Sequence, residues 1–127
     1  MKKIIKEWLE KADADLCGAE RLVLDDPPLN DLACFHCQQA AEKYLKALLI
    51  NLGLPAPKIH DLEDLLEILL PRVPVLSKHR RGLATLSKFA VEYRYPGVKS
   101  NSRKTEAALR KAKVIRSAIR KELGLAP

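Results

Sequence analysis

The sequence has little of several features that would assign a function class at once. Its longest apolar runs are a few residues, against the about 18 that a membrane span needs, so we expect no membrane segment and no signal peptide and predict a cytoplasmic protein. Three cysteines are too few, and odd in number, for a disulfide framework. No stretch alternates apolar and polar residues, which excludes half-exposed strands.

The composition is that of a globular protein, 47% hydrophobic and 31% charged. A length of 127 residues suffices for one hydrophobic core, so we predict a single domain over residues 1–127. The net charge of +7 is local, because residues 1–98 carry 14 basic and 14 acidic side chains whereas residues 99–127 carry nine basic and two acidic ones. Such a local excess of cations indicates an anionic partner.

Apolar residues recur at helical spacing from Asp31 to Gly53. The predicted core face of this helix contains Cys34, Cys37, Ala41, Tyr44, Leu45, Leu48 and Leu52. The predicted outward face contains Gln39, Glu42, Lys43 and Lys46. Phe35 and Ile50 lie among these polar residues, so the helix has a second apolar surface, which we predict to form the interface of a homodimer. We expect Asn30 or Asp31 to cap the helix.

Four further helices complete the predicted fold. Their spans are Lys2–Leu24, Leu62–Leu70, Leu76–Tyr93 and a last helix that ends near Leu123. The expected caps are Asp61 for the short helix and Ser100, Asn101 or Ser102 for the last one. The core face of the first helix is Ile5, Trp8, Ala12, Leu16, Ala19 and Val23, and that of the last is Ala108, Ala112, Ile115 and Ile119. The pattern predicts an all-α fold, an up-and-down antiparallel bundle of four long helices and one short helix.

The segment FHCQQAAEKYLKALL, from Phe35 to Leu49, resembles the signature helix of the HEPN family. These small helical domains are named for a proposed nucleotide-binding role in higher eukaryotes and prokaryotes. His60-Asp61-Leu62 and Tyr93-Arg94-Tyr95-Pro96 resemble later segments of the family in the same order. The resemblance covers most of the chain from Trp8 onward and implies an HEPN-like helical domain.

The resemblance raises the question of whether this chain has the catalytic residues of the family's ribonucleases. Many HEPN proteins are metal-independent ribonuclease toxins that use an arginine, four to six intervening residues and a histidine, a pair suited to proton transfer and phosphate stabilisation. Here the arginine at the comparable position is Arg94, and no histidine follows it at that spacing. One formal match, Arg72 with His79, spans the turn that contains Pro74. The resemblance therefore does not carry the catalytic pair over to this chain.

HEPN proteins without that pair are often paired with a minimal nucleotidyltransferase. The resemblance thus implies a non-catalytic partner subunit in a toxin-antitoxin-like two-component module, with the metal and the nucleotide triphosphate held by the partner. We expect no metal or cofactor in this chain itself. A metal-independent endoribonuclease toxin and a dimeric helical scaffold without nucleotide affinity are the two alternatives.

The predicted nucleotide or RNA site contains Arg94 and Tyr95, with His60 and Lys43 as neighbours. Arginine binds phosphate oxygens through its fork of N–H groups, and tyrosine stacks on bases. Whether His60 lies near Arg94 depends on helix packing. In the alternative interpretation, Arg94 and Tyr95 end a helix and order the following loop.

Two other features have a structural and a functional interpretation. The last helix has a basic face of Arg103, Arg110, Lys113, Arg120 and Lys121. This face is either a solvated surface or a nonspecific phosphate contact. Cys34 and Cys37 have the spacing of a metal or redox pair, but no second pair completes a zinc site, which favours small buried residues.

Overall fold

The computed structural model describes all 127 residues and contains five α-helices and a 3-10 helix, with no strand. The α-helices are α1 (Lys3–Leu22), α2 (Asn30–Asn51), α3 (Leu62–Leu69), α4 (Arg80–Glu92) and α5 (Ser102–Glu122). The 3-10 helix, Pro74–His79, joins α3 to α4. The predicted all-helical bundle is confirmed. None of the helices has the length and apolarity to cross a membrane.

Helix α2 is the centre of the bundle, because it packs against α1, α3, α4 and α5. Its predicted core face is buried except for Leu52, which is half-buried at the helix end. The prediction that Glu42 and Lys46 point outward was wrong, since both are 5% exposed. Helical periodicity identified one buried face, but neighbours cover α2 on more than one side.

Side-chain caps set the start of two helices. Asp61 Oδ1 accepts hydrogen bonds from the backbone N–H groups of Glu63 and Asp64, and Asn101 Oδ1 accepts one from Lys104. Asp61 was the expected cap of α3 and is confirmed, and Asn101 is the one of the three candidates for α5 that caps it. Satisfying the free N–H groups of the first turn in this way stabilises a helix by about 1 kcal/mol.

The predicted cap of α2 was wrong. Leu29 occupies the N-cap position, and its side chain makes no capping hydrogen bond. Asp31 lies inside the first turn, and its carboxylate accepts a 2.6 Å hydrogen bond from the backbone N–H of Ser100. The side chain thus fastens the start of α2 to the loop that precedes α5.

Two other sequence-based expectations differ from the structure. Trp8 was expected on the core face of α1, but it is half-buried, and its neighbour Leu9 is buried instead. The Trp8 ring lies 5.9 Å from Lys46 Nζ. The single helix expected from Leu76 to Tyr93 is divided, because α4 begins at Arg80 after the 3-10 turn. Pro74 suits the first position of that turn, where its missing N–H costs no hydrogen bond.

Partly buried polar contacts join α2 to α1 and α5. Asp13 of α1 accepts hydrogen bonds from the Tyr44 hydroxyl and from Arg116 Nε, the latter at 3.1 Å. Burial, followed by the hydrogen bond to Asp13, raises the pKa of Tyr44, so its hydroxyl stays protonated as a donor. The three side chains therefore connect three helices through one carboxylate.

Candidate functional site

A cleft of about 520 Å³ lies between α2, the start of α3 and α4. Its volume is within the range of small-molecule sites. Apolar residues of α4 form part of the wall, and polar residues of all three elements face the same space. The polar and aromatic residues that matter most for ligand chemistry are Phe35, Gln39, His60, Glu63, Lys88 and Arg94.

The structure brings two of the four predicted binding residues together. Arg94 and His60 both line the cleft, although they are 34 positions apart in the chain. Lys43 does not line it, because its ammonium group pairs with Asp15 on the α1 side of α2. Tyr95 follows Arg94 and is 64% exposed, outside the cleft lining. Folding thus places one guanidinium and one imidazole on the same cavity.

Arg94 is the cleft cation without a carboxylate partner. Its guanidinium carbon lies 6.0 Å from the centre of the Phe35 ring, and it takes part in no ion pair of the protein. Lys88, by contrast, lies 3.6 Å from Glu92. An aromatic face attracts a guanidinium without occupying its N–H donors. The donors of Arg94 are therefore free to bind an anion.

A buried carboxylate holds the imidazole of His60. Nδ1 of His60 lies 3.2 Å from both carboxylate oxygens of Glu42, and Lys46 Nζ lies 3.0 Å from the same carboxylate. Because a carboxylate accepts hydrogen bonds, Nδ1 is the donor and carries a proton. The His60 side chain is 78% exposed, so its other ring nitrogen, Nε2, is free of protein partners.

Gln38 supports the same arrangement from α2. Its amide Nε2 donates a 3.0 Å hydrogen bond to the backbone carbonyl of His60 and lies 3.5 Å from Glu42 Oε1. The roles of Gln38 and Glu42 were missed at the sequence level. Their spacing of four residues, which places both on one side of a helix, was the available signal.

Two carboxylates complete the cleft. Asp61 is committed to capping α3, as described above, and Glu63 is half-buried in the first turn of α3. Neither forms an ion pair with a Lys, Arg or His of the protein. The cleft therefore presents unpaired acceptors on its α3 side and an unpaired guanidinium on its α4 side.

The formal arginine–histidine match lies elsewhere. Neither Arg72 nor His79 lines the cleft. His79 Nε2 is buried without a hydrogen-bond partner. Burial, followed by the charge of Lys78, lowers the pKa of His79. His79 is thus half-buried next to Lys78, whereas Arg72 is exposed.

The predicted basic face of α5 divides into paired and free cations. Lys113 Nζ lies 3.7 Å from Glu20 of α1, and Arg120 Nε donates to the carbonyl of Ala126. Arg103, Arg110 and Lys121 are exposed and form no ion pair. The free part of the face is a line of three cations on the outside of α5.

The two predicted interface residues have different surroundings. Ile50 is half-buried and packs against the core of its own chain. Phe35 is also half-buried, and it lies at the boundary between the cleft and a smaller apolar depression. Leu32, in that depression, and Val91, in the cleft wall, are 50% and 61% exposed. The apolar surface around Phe35 is thus the part of this prediction that stays open to a partner.

The cysteine pair lies in the core. Cys34 Sγ is 3.3 Å from Ser100 Oγ and 3.6 Å from Thr105 Oγ1. Burial, followed by the proximity of Cys34, raises the pKa of the Cys37 thiol to about 12. Both side chains pack as small buried residues. No group of three or more His, Cys, Asp or Glu residues is arranged to hold a metal ion.

Comparison with known proteins identifies similar structures and one matching family. The HEPN domain family matches residues 5–122. TT1696 from Thermus thermophilus is 29% identical in sequence, with a TM-score of 0.80 over 94% of this chain and 98% of its own. ST0689, an archaeal HEPN homologue, is 25% identical, with a TM-score of 0.72 over 96% of this chain and 98% of its own. No curated protein matches the sequence.

Proposed function

Because the chain belongs to the HEPN family, we propose that the cleft between α2, α3 and α4 binds a phosphate-bearing ligand, a nucleotide or an RNA phosphate. The observation that carries this proposal is the unpaired guanidinium of Arg94 in a cavity that it shares with His60. An arginine fork binds two oxygens of one phosphate, and an imidazole contributes a further hydrogen bond.

The rest of the cleft suits the remainder of a nucleotide. Ala90 and Val91 provide an apolar wall for a flat base, and Gln39 provides an amide beside it. Gln39 Nε2 already donates to Gln38 Oε1, so its own carbonyl oxygen remains as an acceptor. We propose that exposed Tyr95, next to Arg94 in the chain, stacks on a base at the mouth of the cleft.

Calorimetric titration with nucleotides and with a short single-stranded RNA tests this proposal. We expect Arg94→Gln to weaken binding about 10-fold or more, because one charge-assisted phosphate contact is worth about 1.5 to 3 kcal/mol. The matched control is Arg103→Gln, which removes an exposed arginine of α5 and should leave affinity unchanged. Equal losses in the two variants would show that net charge, and not the cleft, binds the ligand.

The third interpretation of the sequence, a scaffold without nucleotide affinity, makes a separate prediction. A ligand that binds the folded state raises the melting temperature, by an amount that grows with its concentration. The scaffold predicts that nucleotides and RNA leave the melting temperature unchanged at every concentration. That result would contradict the proposed binding function.

We further propose that the chain acts as a subunit, a homodimer paired with a minimal nucleotidyltransferase in a toxin-antitoxin-like module. The apolar surface around Phe35, with exposed Leu32 and Val91, supports a protein partner because exposed apolar patches favour association. Co-expression with the adjacent gene product, followed by mass measurement of the purified complex, tests this pairing. Leu32→Asp should weaken the complex with the adjacent gene product. Val114→Asp, at an exposed valine of α5, is the control and should leave that complex intact.

The endoribonuclease alternative is tested with the same preparations. A ribonuclease that uses Arg94 would cleave RNA without added metal and would lose this activity on Arg94→Gln. A ribonuclease that uses Arg72 and His79 would instead lose it on His79→Gln. The proposed binding subunit cleaves no RNA, so cleavage by the pure wild-type chain would overturn it.

A further inference from the structure

We infer that the cleft selects a nucleoside monophosphate over the corresponding triphosphate, an inference that rests on the proposed binding function. Arg94 is the cation there without a carboxylate partner, whereas Lys88 lies beside Glu92. One free guanidinium matches the two oxygens that one phosphate group presents to it. A further phosphate on the same ligand would meet Lys88, whose charge is partly offset by Glu92 at 3.6 Å.

His60 adds a contact that suits a terminal phosphate. Glu42 holds Nδ1 as a donor, so Nε2 is the ring atom left for a ligand. A phosphomonoester has a second pKa near about 6 and therefore exchanges a proton close to neutral pH. The imidazole and the phosphate oxygen are then able to share one proton in a hydrogen bond. In a triphosphate only the terminal γ-phosphate exchanges such a proton, and it lies two phosphates further from the ribose than the phosphate of a monophosphate does.

The α3 side of the cleft disfavours additional negative charge. Asp61 and Glu63 line it, and neither has a cationic partner in the protein. A second and a third phosphate would lie within a cavity of about 520 Å³ that also contains these carboxylates. Charges that share a cavity of this volume lie no further apart than the screening length of about 8 to 10 Å at physiological salt. The repulsion between the added phosphates and these carboxylates is therefore not screened out.

The same carboxylates suit the sugar of a nucleoside. A ribose offers hydroxyl donors, and Glu63, in the first turn of α3, offers acceptor oxygens that no Lys, Arg or His of the protein pairs with. Carboxylates accept hydrogen bonds from ribose hydroxyls in nucleotide sites of other folds. The free guanidinium and the free carboxylate thus match the two ends of a molecule that has one phosphate and one ribose.

Calorimetric titration of the full chain with AMP and ATP, without magnesium and at constant ionic strength, tests the inference. We expect AMP to bind at least 10-fold more tightly than ATP. Adenosine and inorganic phosphate should each bind more weakly than AMP, because each keeps one half of the contacts. ATP binding as tightly as AMP or more tightly would overturn the inference and leave the proposed nucleotide site standing. Absence of binding by every nucleotide and RNA would overturn the proposed function itself.

A substitution that removes the charge of Glu63 identifies the source of the selectivity. Glu63→Gln should improve ATP binding and narrow the ratio between AMP and ATP, because it removes a repelling carboxylate and keeps the side-chain size. Glu122→Gln, at the exposed end of α5, is the matched control and should leave the ratio unchanged. An unchanged ratio in Glu63→Gln, with circular dichroism showing a folded protein, would contradict the role of Glu63.

Discussion

Nδ1 of His60 lies 3.2 Å from each carboxylate oxygen of Glu42, so a buried charge on α2 positions an exposed imidazole in the cleft. The same carboxylate pairs with Lys46, and the side chains of Glu42 and Lys46 are 6% and 7% exposed. A buried ion pair stabilises the fold only while both charges are present. The orientation of a cleft residue and the stability of the fold therefore rest on one side chain.

Removing the carboxylate should destabilise the protein strongly. Glu42→Gln leaves the Lys46 ammonium buried without its counter-charge, which we expect to lower the free energy of unfolding by about 3 to 5 kcal/mol. Urea denaturation followed by circular dichroism measures the change. A loss below about 1 kcal/mol would show that Lys46 reaches water in the folded protein.

The double variant Glu42→Gln, Lys46→Met is the control for this prediction. It removes both charges together, so most of the lost stability should return, since apolar replacements of a buried ion pair are often neutral or stabilising. If the double variant is as unstable as Glu42→Gln alone, the cost arises from packing and not from the unpaired ammonium.

Acidification should destabilise the folded protein through the protonation of His79. Burial lowers its pKa from the ordinary value of 6.5 in the folded protein. The unfolded chain therefore binds more protons below pH 6.5 than the folded chain does, and the free energy of unfolding falls as the pH drops from there through the folded-state pKa. Urea denaturation between about pH 7.5 and pH 5 measures this slope.

The variant His79→Gln cannot take up that proton. Its stability should depend less on pH over the same range than that of the wild type. His36→Gln, at a half-buried histidine that hydrogen-bonds Asp15, is the comparison. An identical slope in wild type and His79→Gln would assign the acid sensitivity to other groups.

The three cysteines should differ in reactivity. Cys17 is exposed, Cys34 and Cys37 are buried, and the Cys37 thiol has a pKa of about 12, so it has almost no thiolate at neutral pH. A thiol reagent such as DTNB should label one cysteine of the native protein quickly and all three in denaturant. The variant Cys17→Ser should abolish the fast phase. Rapid labelling of two or more thiols in the native chain would contradict their burial.

The cap of α3 should contribute measurable stability. Asp61→Ala leaves the N–H groups of Glu63 and Asp64 without an acceptor, for an expected loss of about 1 kcal/mol. Asp64→Ala removes a neighbouring acidic side chain that accepts no such bond and is the matched control. Equal effects in thermal denaturation would assign the loss to charge near the helix end and not to the cap.

The sequence was sufficient for four of the five helices and much of the core, because these features depend on local spacing, but it missed the 3-10 turn before α4. The cap Asp61 and the core face of α5 were predicted from neighbouring residues and are confirmed, and Asn101 was among the three candidates for the cap of α5. The burial of Glu42 and Lys46 was not predicted, since the segments that contact them lie elsewhere in the chain. Periodicity reports how apolar a face is, not how many neighbours surround a helix.

The residues of the cleft could be predicted from the sequence only in part, for the same reason. Arg94 and His60 were both proposed from the sequence, but their place on one cavity depends on how α3 and α4 pack against α2. Lys43 was proposed with them, although its partner Asp15 belongs to α1, on another side of α2. The rotation of α2 between its neighbours decides which of its residues reach the cleft, and no local pattern reports that rotation.

The central position of α2 has a mechanical consequence. A helix that contacts all four others cannot shift against one of them without disturbing the rest. Any widening or narrowing of the cleft therefore requires α3 or α4 to move against α2, and α4 packs against α5 as well. A protein bound on the outside of α4 would therefore press on a cleft wall that α2, α3 and α5 support from behind.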